Sequence, residues 1–161
     1  MRRLTVAIGL VVLLNSSLSA QVPYPKGSGH VFIAPGATSG DGVTATLHFG
    51  IGGDVLVYKG LAPGAEIGYL APVQSLGDGF GIFSANLSYY FARRQRRLVP
   101  FVTGGYSLAF RSGTASGGNF GGGVEYWLRD HVGLRFEFRD HVFSSDSPHF
   151  YGFRFGVAFH C

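Results

Sequence analysis

Near its end the chain reads "HFYGFRFGVAF" (149–159), and every second residue from Tyr151 is large and apolar: Tyr151, Phe153, Phe155, Val157 and Phe159. Gly152, Arg154, Gly156 and Ala158 lie between them. A period of two belongs to a β-strand, whose successive side chains leave on opposite faces. This strand therefore has one oily face and one face of small or charged residues. Few architectures satisfy both faces at once.

The same period recurs along most of the chain, broken by clusters of Gly, Asp, Ser and Pro. We read eight strands: 30–37, 44–57, 61–71, 79–91, 99–111, 117–128, 131–143 and 149–159. The second has a possible break at Gly52-Gly53. In "HVGLRFEFRDHVF" one face holds Val132, Leu134, Phe136 and Phe138, and the other holds Gly133, Arg135, Glu137, Arg139 and His141. In "NFGGGVEYWL", Phe120, Gly122, Val124, Tyr126 and Leu128 alternate with Asn119, Gly121, Gly123, Glu125 and Trp127. No helical period competes.

Alternation fits a soluble antiparallel sheet, oily face hidden and polar face wet. It fits equally a membrane barrel, oily face toward lipid and polar face toward the lumen. The polar face decides. It is rich in Gly, Ala and Ser, with four acids (Asp54, Glu66, Glu125, Glu137) and four bases (Arg111, Arg135, Arg139, Arg154) among them. A wet face would carry abundant lysine, yet lysine occurs only at Lys26 and Lys59. Small residues with balanced charges suit a narrow enclosed space. The expectation is an all-β, eight-stranded antiparallel up-and-down transmembrane β-barrel.

With the amino terminus on the periplasmic side, the even-numbered strands end at the periplasmic rim with Tyr58, Phe91, Tyr126 and Trp127, and Phe159. These are read as an interfacial aromatic girdle. Asp140 is the awkward residue. Parity turns it toward lipid, near the outer rim, where the cost is about 0–1 kcal/mol and a bulge could redirect it.

At the other end, "MRRLTVAIGLVVLLNSSLSAQ" has two arginines, an apolar run from Leu4 to Leu14 and then small residues, the order of a secretory signal peptide. The run has 11 residues, short of the about 20 a spanning helix needs. We expect a signal peptide over 1–20, an extended leader over 21–29 and a barrel domain over 30–161. Without Arg2 and Arg3 the chain holds 11 basic and 9 acidic residues, a poor basis for nucleic-acid binding. The lone Cys161 makes no internal disulfide.

The stretches "PFVTGGYSLAFRSG" (100–113), "NFGGGVEYWLRDHVGLRFEFRDHV" (119–142) and "HFYGFRFGVAF" resemble the small bacterial outer-membrane β-barrel proteins, of the eight-stranded OmpA-type or opacity-protein-like class. The resemblance covers most of the second half of the mature chain; the first half matches mainly in pattern. It implies residence in the outer membrane, with outer-membrane lipids as surroundings. It also implies a terminal signal for the barrel-assembly machinery, matched by Tyr151, Phe153, Phe155, Val157 and Phe159. Here His160 and Cys161 follow the phenylalanine. Barrel enzymes that trim lipid A carry a His-x-Ser pair on a lipid-facing strand, and no histidine here has serine two residues on.

The eight inward charges read first as a salt-bridge plug joining opposite walls, since buried charges are normally paired. An eight-stranded bore is just wide enough for side chains, which argues against an open porin channel. His48 and His141 are expected to point inward, with His30, His131, His149 and His160 near the rims. None has the spacing of a metal site, and nothing pairs a nucleophile with a base. No catalytic, cofactor or metal residues are therefore assigned. The glycine strings "GGNFGGG" (117–123) and "GIGGD" (50–54) follow no strand-to-helix turn and read as packing glycines. "RRQRR" (93–97) reads as a periplasmic turn whose cations meet lipid phosphates or cell-wall groups. The expected role is structural or interactive in the envelope. Its rivals are a soluble lipocalin-like barrel binding an apolar ligand, a narrow channel, and a lipid-modifying barrel enzyme.

Overall fold

The structure, a computed structural model, describes residues 27–39, 43–91, 97–143 and 149–160. The expected signal segment (1–20), most of "RRQRR" and Cys161 lie outside the described residues. Eight strands follow one another: β1 (Gly27–Ser39), β2 (Thr44–Val55), β3 (Leu61–Pro72), β4 (Phe80–Tyr90), β5 (Leu98–Phe110), β6 (Thr114–Arg129), β7 (Val132–Phe143) and β8 (His149–His160). Each pairs antiparallel with its sequence neighbours, and β8 pairs with β1 to close the barrel. At the seam Gly29 lies opposite Phe159 and Ser39 opposite His149. Closure leaves no strand edge unpaired, which lipid would penalise by several kcal/mol per orphaned backbone group. With 11 to 16 residues each, the strands meet or exceed the about 9–11 that a tilted spanning strand requires.

Sidedness follows the alternation. Phe153 is 63% exposed and Phe120 56%, whereas Glu125 and Arg139 are each 1% exposed. Charged side chains are buried and phenylalanines stand outside, the inverse of a soluble domain. The exposed residues Ile33, Phe49, Ile51, Ile67, Leu87, Val102, Phe136 and Phe155 lie on this outer face. The fold is thus a transmembrane barrel, with its oily face outward.

Strand limits differ from the sequence expectation by a few residues. β1 begins at Gly27, so the last three residues of the expected leader belong to the sheet. β2 runs unbroken through Gly52-Gly53 and stops at Val55. In the connection 56–60 to β3 the tip is a two-residue turn: Lys59 and Gly60 have φ of 40° and 94°, and Leu61 N–H donates to Tyr58 O at 2.7 Å. Positive φ at both central residues is the twist a tight hairpin needs, and Gly60 adopts it without a Cβ penalty. The connection after β3 contains a short 3-10 turn, Leu76–Asp78.

The bore is layered rather than uniformly polar. At the rim where β1 begins and β8 ends, Ala62, Tyr90, Val99, Phe101, Trp127 and Ala158 form an apolar cluster. Near the opposite, far rim, Leu70, Ile82, Ala109 and Phe143 form a second, with Phe80, Ala115 and Phe150 against it. The ions lie between these layers.

Candidate functional site

Long side chains from β3, β6, β7 and β8 meet in the middle of the bore. Arg135 donates from Nη1 to Glu125 Oε1 at 2.7 Å and from Nε to Glu137 Oε2 at 3.0 Å. Arg139 binds Glu137 through Nε and reaches Glu66 Oε2 on β3 at 3.1 Å. Arg154 donates to the other Glu66 oxygen at 2.8 Å. Three guanidiniums thus face three carboxylates, all nearly fully buried. Removal from water costs several kcal/mol per ion, which only close geometry and further hydrogen bonds recover. Two guanidiniums also stack on inward rings, Arg135 4.0 Å from the Phe101 centroid and Arg154 4.3 Å from Phe32.

Neutral groups complete the network. Arg139 Nη1 donates to Asn119 Oδ1 at 2.7 Å, and Asn119 Nδ2 donates to Asn86 Oδ1 and Ser107 Oγ, each at 2.9 Å. Arg154 Nη2 lies 3.0 Å from His141 Nε2. Because a guanidinium only donates, that nitrogen accepts. The ring proton is therefore on Nδ1, which donates to Ser107 Oγ at 2.9 Å. Ser107 then directs its own hydrogen to Ser84 Oγ, 2.9 Å away.

Asp54 belongs to a different set. It is half-buried on β2, accepting from Ser28 Oγ at 2.7 Å and from the Tyr90 hydroxyl. Tyr90 in turn accepts from Arg135 Nη1 at 3.1 Å. Asp54 therefore touches the arginines only through a phenol.

Of the eight charges assigned to the interior, Asp54, Glu66, Glu125, Arg135, Glu137, Arg139 and Arg154 lie in the bore. Arg111 does not. β5 ends at Phe110, so parity no longer applies one residue later, and the exposed Arg111 pairs with Asp78 Oδ1 at 3.3 Å. Trp127 leaves the expected girdle too. It is 8% exposed and stacks on His160 with ring centroids 3.5 Å apart. Tyr58, Phe91, Tyr126 and Phe159 remain exposed at that rim. His30 is not at a rim, because the earlier start of β1 carries it inside, 3.6 Å from Glu66 Oε2. Tyr151, Phe153, Phe155, Val157 and Phe159 all lie on the outward face of β8. Asp140 also faces outward, as parity predicts, with no bulge beside it; His149 Nδ1 stands 2.8 Å from its Oδ2.

No family model matches this chain, and no curated protein matches it. Solved structures do. Neisserial surface protein A superposes with a TM-score of 0.69 at 16% identity, covering 84% of this chain and 97% of that one. Ail, the attachment invasion locus protein of Yersinia pestis, crystallised with the heparin analogue sucrose octasulfate, gives 0.60 at 12% identity over 83% and 96%. The outer membrane enzyme PagL gives 0.57 at 16% identity over 79% and 97%. This is the fold of the small outer-membrane barrels. At these identities the likeness concerns the fold alone. Small outer-membrane barrels of this one shape include an enzyme and proteins that are not described as enzymes, so the backbone does not select a role. In this chain the choice rests on what fills the bore and what lines the wall.

Proposed function

We propose that this chain is an outer-membrane barrel with a plugged polar interior, exported through the signal segment 1–20, with a structural or interaction role in the bacterial envelope. One observation carries the reading. The buried network of Glu66, Glu125, Glu137, Arg135, Arg139 and Arg154 fills the middle of the bore, with apolar clusters at both ends. Ions paired in this way hold opposite walls together; an ion path needs groups free to exchange partners with water. Both termini then lie on the periplasmic side, membrane lipids surround the belt, and the outward face of β8 is what the assembly machinery reads. The role is non-catalytic, and no cofactor is required.

Membrane fractionation, followed by electrophoresis with and without boiling, tests the location. The expected result is a membrane fraction whose mobility changes on heating. A soluble fraction with unchanged mobility overturns it in favour of a secreted ligand-binding barrel. In planar bilayers the purified protein is expected to give no discrete conductance steps. Regular steps would establish a channel, and turnover of lipid A or phospholipid would establish an enzyme.

A further inference from the structure

Asp140 is the one charged residue of β7 that faces away from the bore. Its cross-strand neighbours, Phe120 on β6 and Tyr151 on β8, are exposed aromatics of the oily face. An ionisable residue on such a wall is expensive and points to function. Asp140 is nevertheless 8% exposed, and while its Oδ2 is engaged by His149, its Oδ1 is buried with no hydrogen-bond partner. Leaving a buried acceptor unpaired costs about 1–3 kcal/mol. The His149 side chain is 45% exposed, and Ser39 of β1 lies directly opposite it in the ladder. Asp140, His149 and Ser39 thus occupy three adjacent strands on the outer wall at the far rim.

The chemistry of this niche is one-sided. A carboxylate only accepts, and Oδ1 has capacity to spare. With Nδ1 of His149 committed to Asp140, the ring presents its other nitrogen elsewhere, and the Ser39 hydroxyl can accept or donate. The unmet need of the niche is therefore a donor for Oδ1.

We propose that Asp140, His149 and Ser39 form a docking site for a membrane lipid whose headgroup supplies donors, as sugar hydroxyls or a primary ammonium do. A choline headgroup, which has no donor, is not held. The inference rests on the membrane reading above. A headgroup donor that enters beside the exposed His149 ring satisfies Oδ1, which no group of the barrel does, and the site lies where headgroups meet the oily belt.

The full chain is reconstituted in phosphatidylcholine nanodiscs doped with either phosphatidylethanolamine or lipopolysaccharide, and retained lipid is measured by native mass spectrometry. One charged hydrogen bond predicts about tenfold enrichment over phosphatidylcholine. The two dopants separate an ammonium from a sugar as the donor. Asp140→Leu and His149→Leu are each expected to bring the enrichment to parity while keeping heat-dependent mobility. If Asp140→Leu does not fold, His149→Leu decides, since its side chain is half-exposed at the rim. Equal retention of all lipids by the wild-type barrel, or undiminished enrichment in the folded variants, overturns the site. A chain that enters no bilayer overturns the membrane reading instead.

Discussion

β2 and β7 each have 12 residues and each present an oily face outward, Leu47, Phe49 and Ile51 on one and Leu134, Phe136 and Phe138 on the other. Their inner faces differ. β7 contributes Arg135, Glu137, Arg139 and His141, whereas β2 contributes His48, Gly50, Gly52 and Asp54. The bore of eight strands is only about as wide as the side chains that fill it. A Cβ at Gly52 would lie 2.7 Å from Glu66 Cγ and 2.8 Å from His30 Nε2, and one at Gly50 would lie 3.0 Å from the Phe32 ring. The bare wall of β2 therefore gives Glu66 and Phe32 the room to engage the arginines of β7 and β8. Ions fill this barrel only because part of its wall has no side chains.

The sharpest way to break that comparison is to remove an acid from the filled side. Glu137→Leu leaves Arg135 and Arg139 buried with one carboxylate fewer each, and an uncompensated buried charge costs about 3–5 kcal/mol. Urea unfolding of the barrel in lipid vesicles measures this through Trp127, the only tryptophan of the chain. A loss below about 1 kcal/mol would mean that the network contributes little.

The adjacent residue probes the other face of the same strand. Phe136→Arg puts a cation on the oily side, and about 2–4 kcal/mol is lost if that position lies near the middle of the bilayer. The same assay in detergent-free buffer discriminates a soluble barrel, where an exposed Phe136→Arg would be neutral or stabilising.

Much of this arrangement is legible in the sequence because alternation is a local property. Parity within a strand tells Phe136 from Glu137 without any knowledge of neighbours. It fails where a strand stops, since nothing in "AFRSG" marks Phe110 as the last paired residue, and the pattern alone carries Arg111 inward. His30 fails at the opposite end of the same problem, through a strand that starts earlier. The place of Trp127 near a strand end suggests the girdle, while its parity with Glu125 points inward, and parity is what the structure follows. The pairings themselves are not legible. Arg139 meets Glu66 from 73 positions away, across the bore and between strands that are not neighbours, so the contact depends on barrel closure and register together. Nor does the alternation of β5 and β6 announce that Val99, Phe101 and Trp127 gather into an apolar layer.

A milder test refills the bare wall. Gly52→Val places branched carbon against Glu66 and His30, and overpacking of this kind costs about 1–3 kcal/mol. Gly113, whose Cβ would meet nothing within 4 Å, is the control, and Gly113→Ala is expected to be near neutral. If Gly52→Val unfolds no earlier in urea than the wild type, the glycines of β2 are not making room for the ions.

The smallest effect is expected at Asp54, the one acid of β2. Its partners, Ser28 and the Tyr90 hydroxyl, are neutral donors, and it is only half-buried. Asp54→Asn keeps an oxygen that accepts from one of them, and no arginine loses a direct counter-ion. The change therefore weakens one hydrogen bond and replaces the acceptor of the other by an amide N–H, toward which a hydroxyl can turn its own oxygen, and about 1 kcal/mol is the scale of that loss. Glu137→Gln, the same chemical change on the filled side, leaves two guanidiniums sharing a neutral amide that accepts through one oxygen only. It is expected to cost several times more. Measured side by side in urea, the two amides separate a charge that holds walls together from one that merely accepts hydrogen bonds. Equal losses would mean that Asp54 is part of the ion network through Tyr90, and that β2 is less bare electrostatically than its side chains make it look.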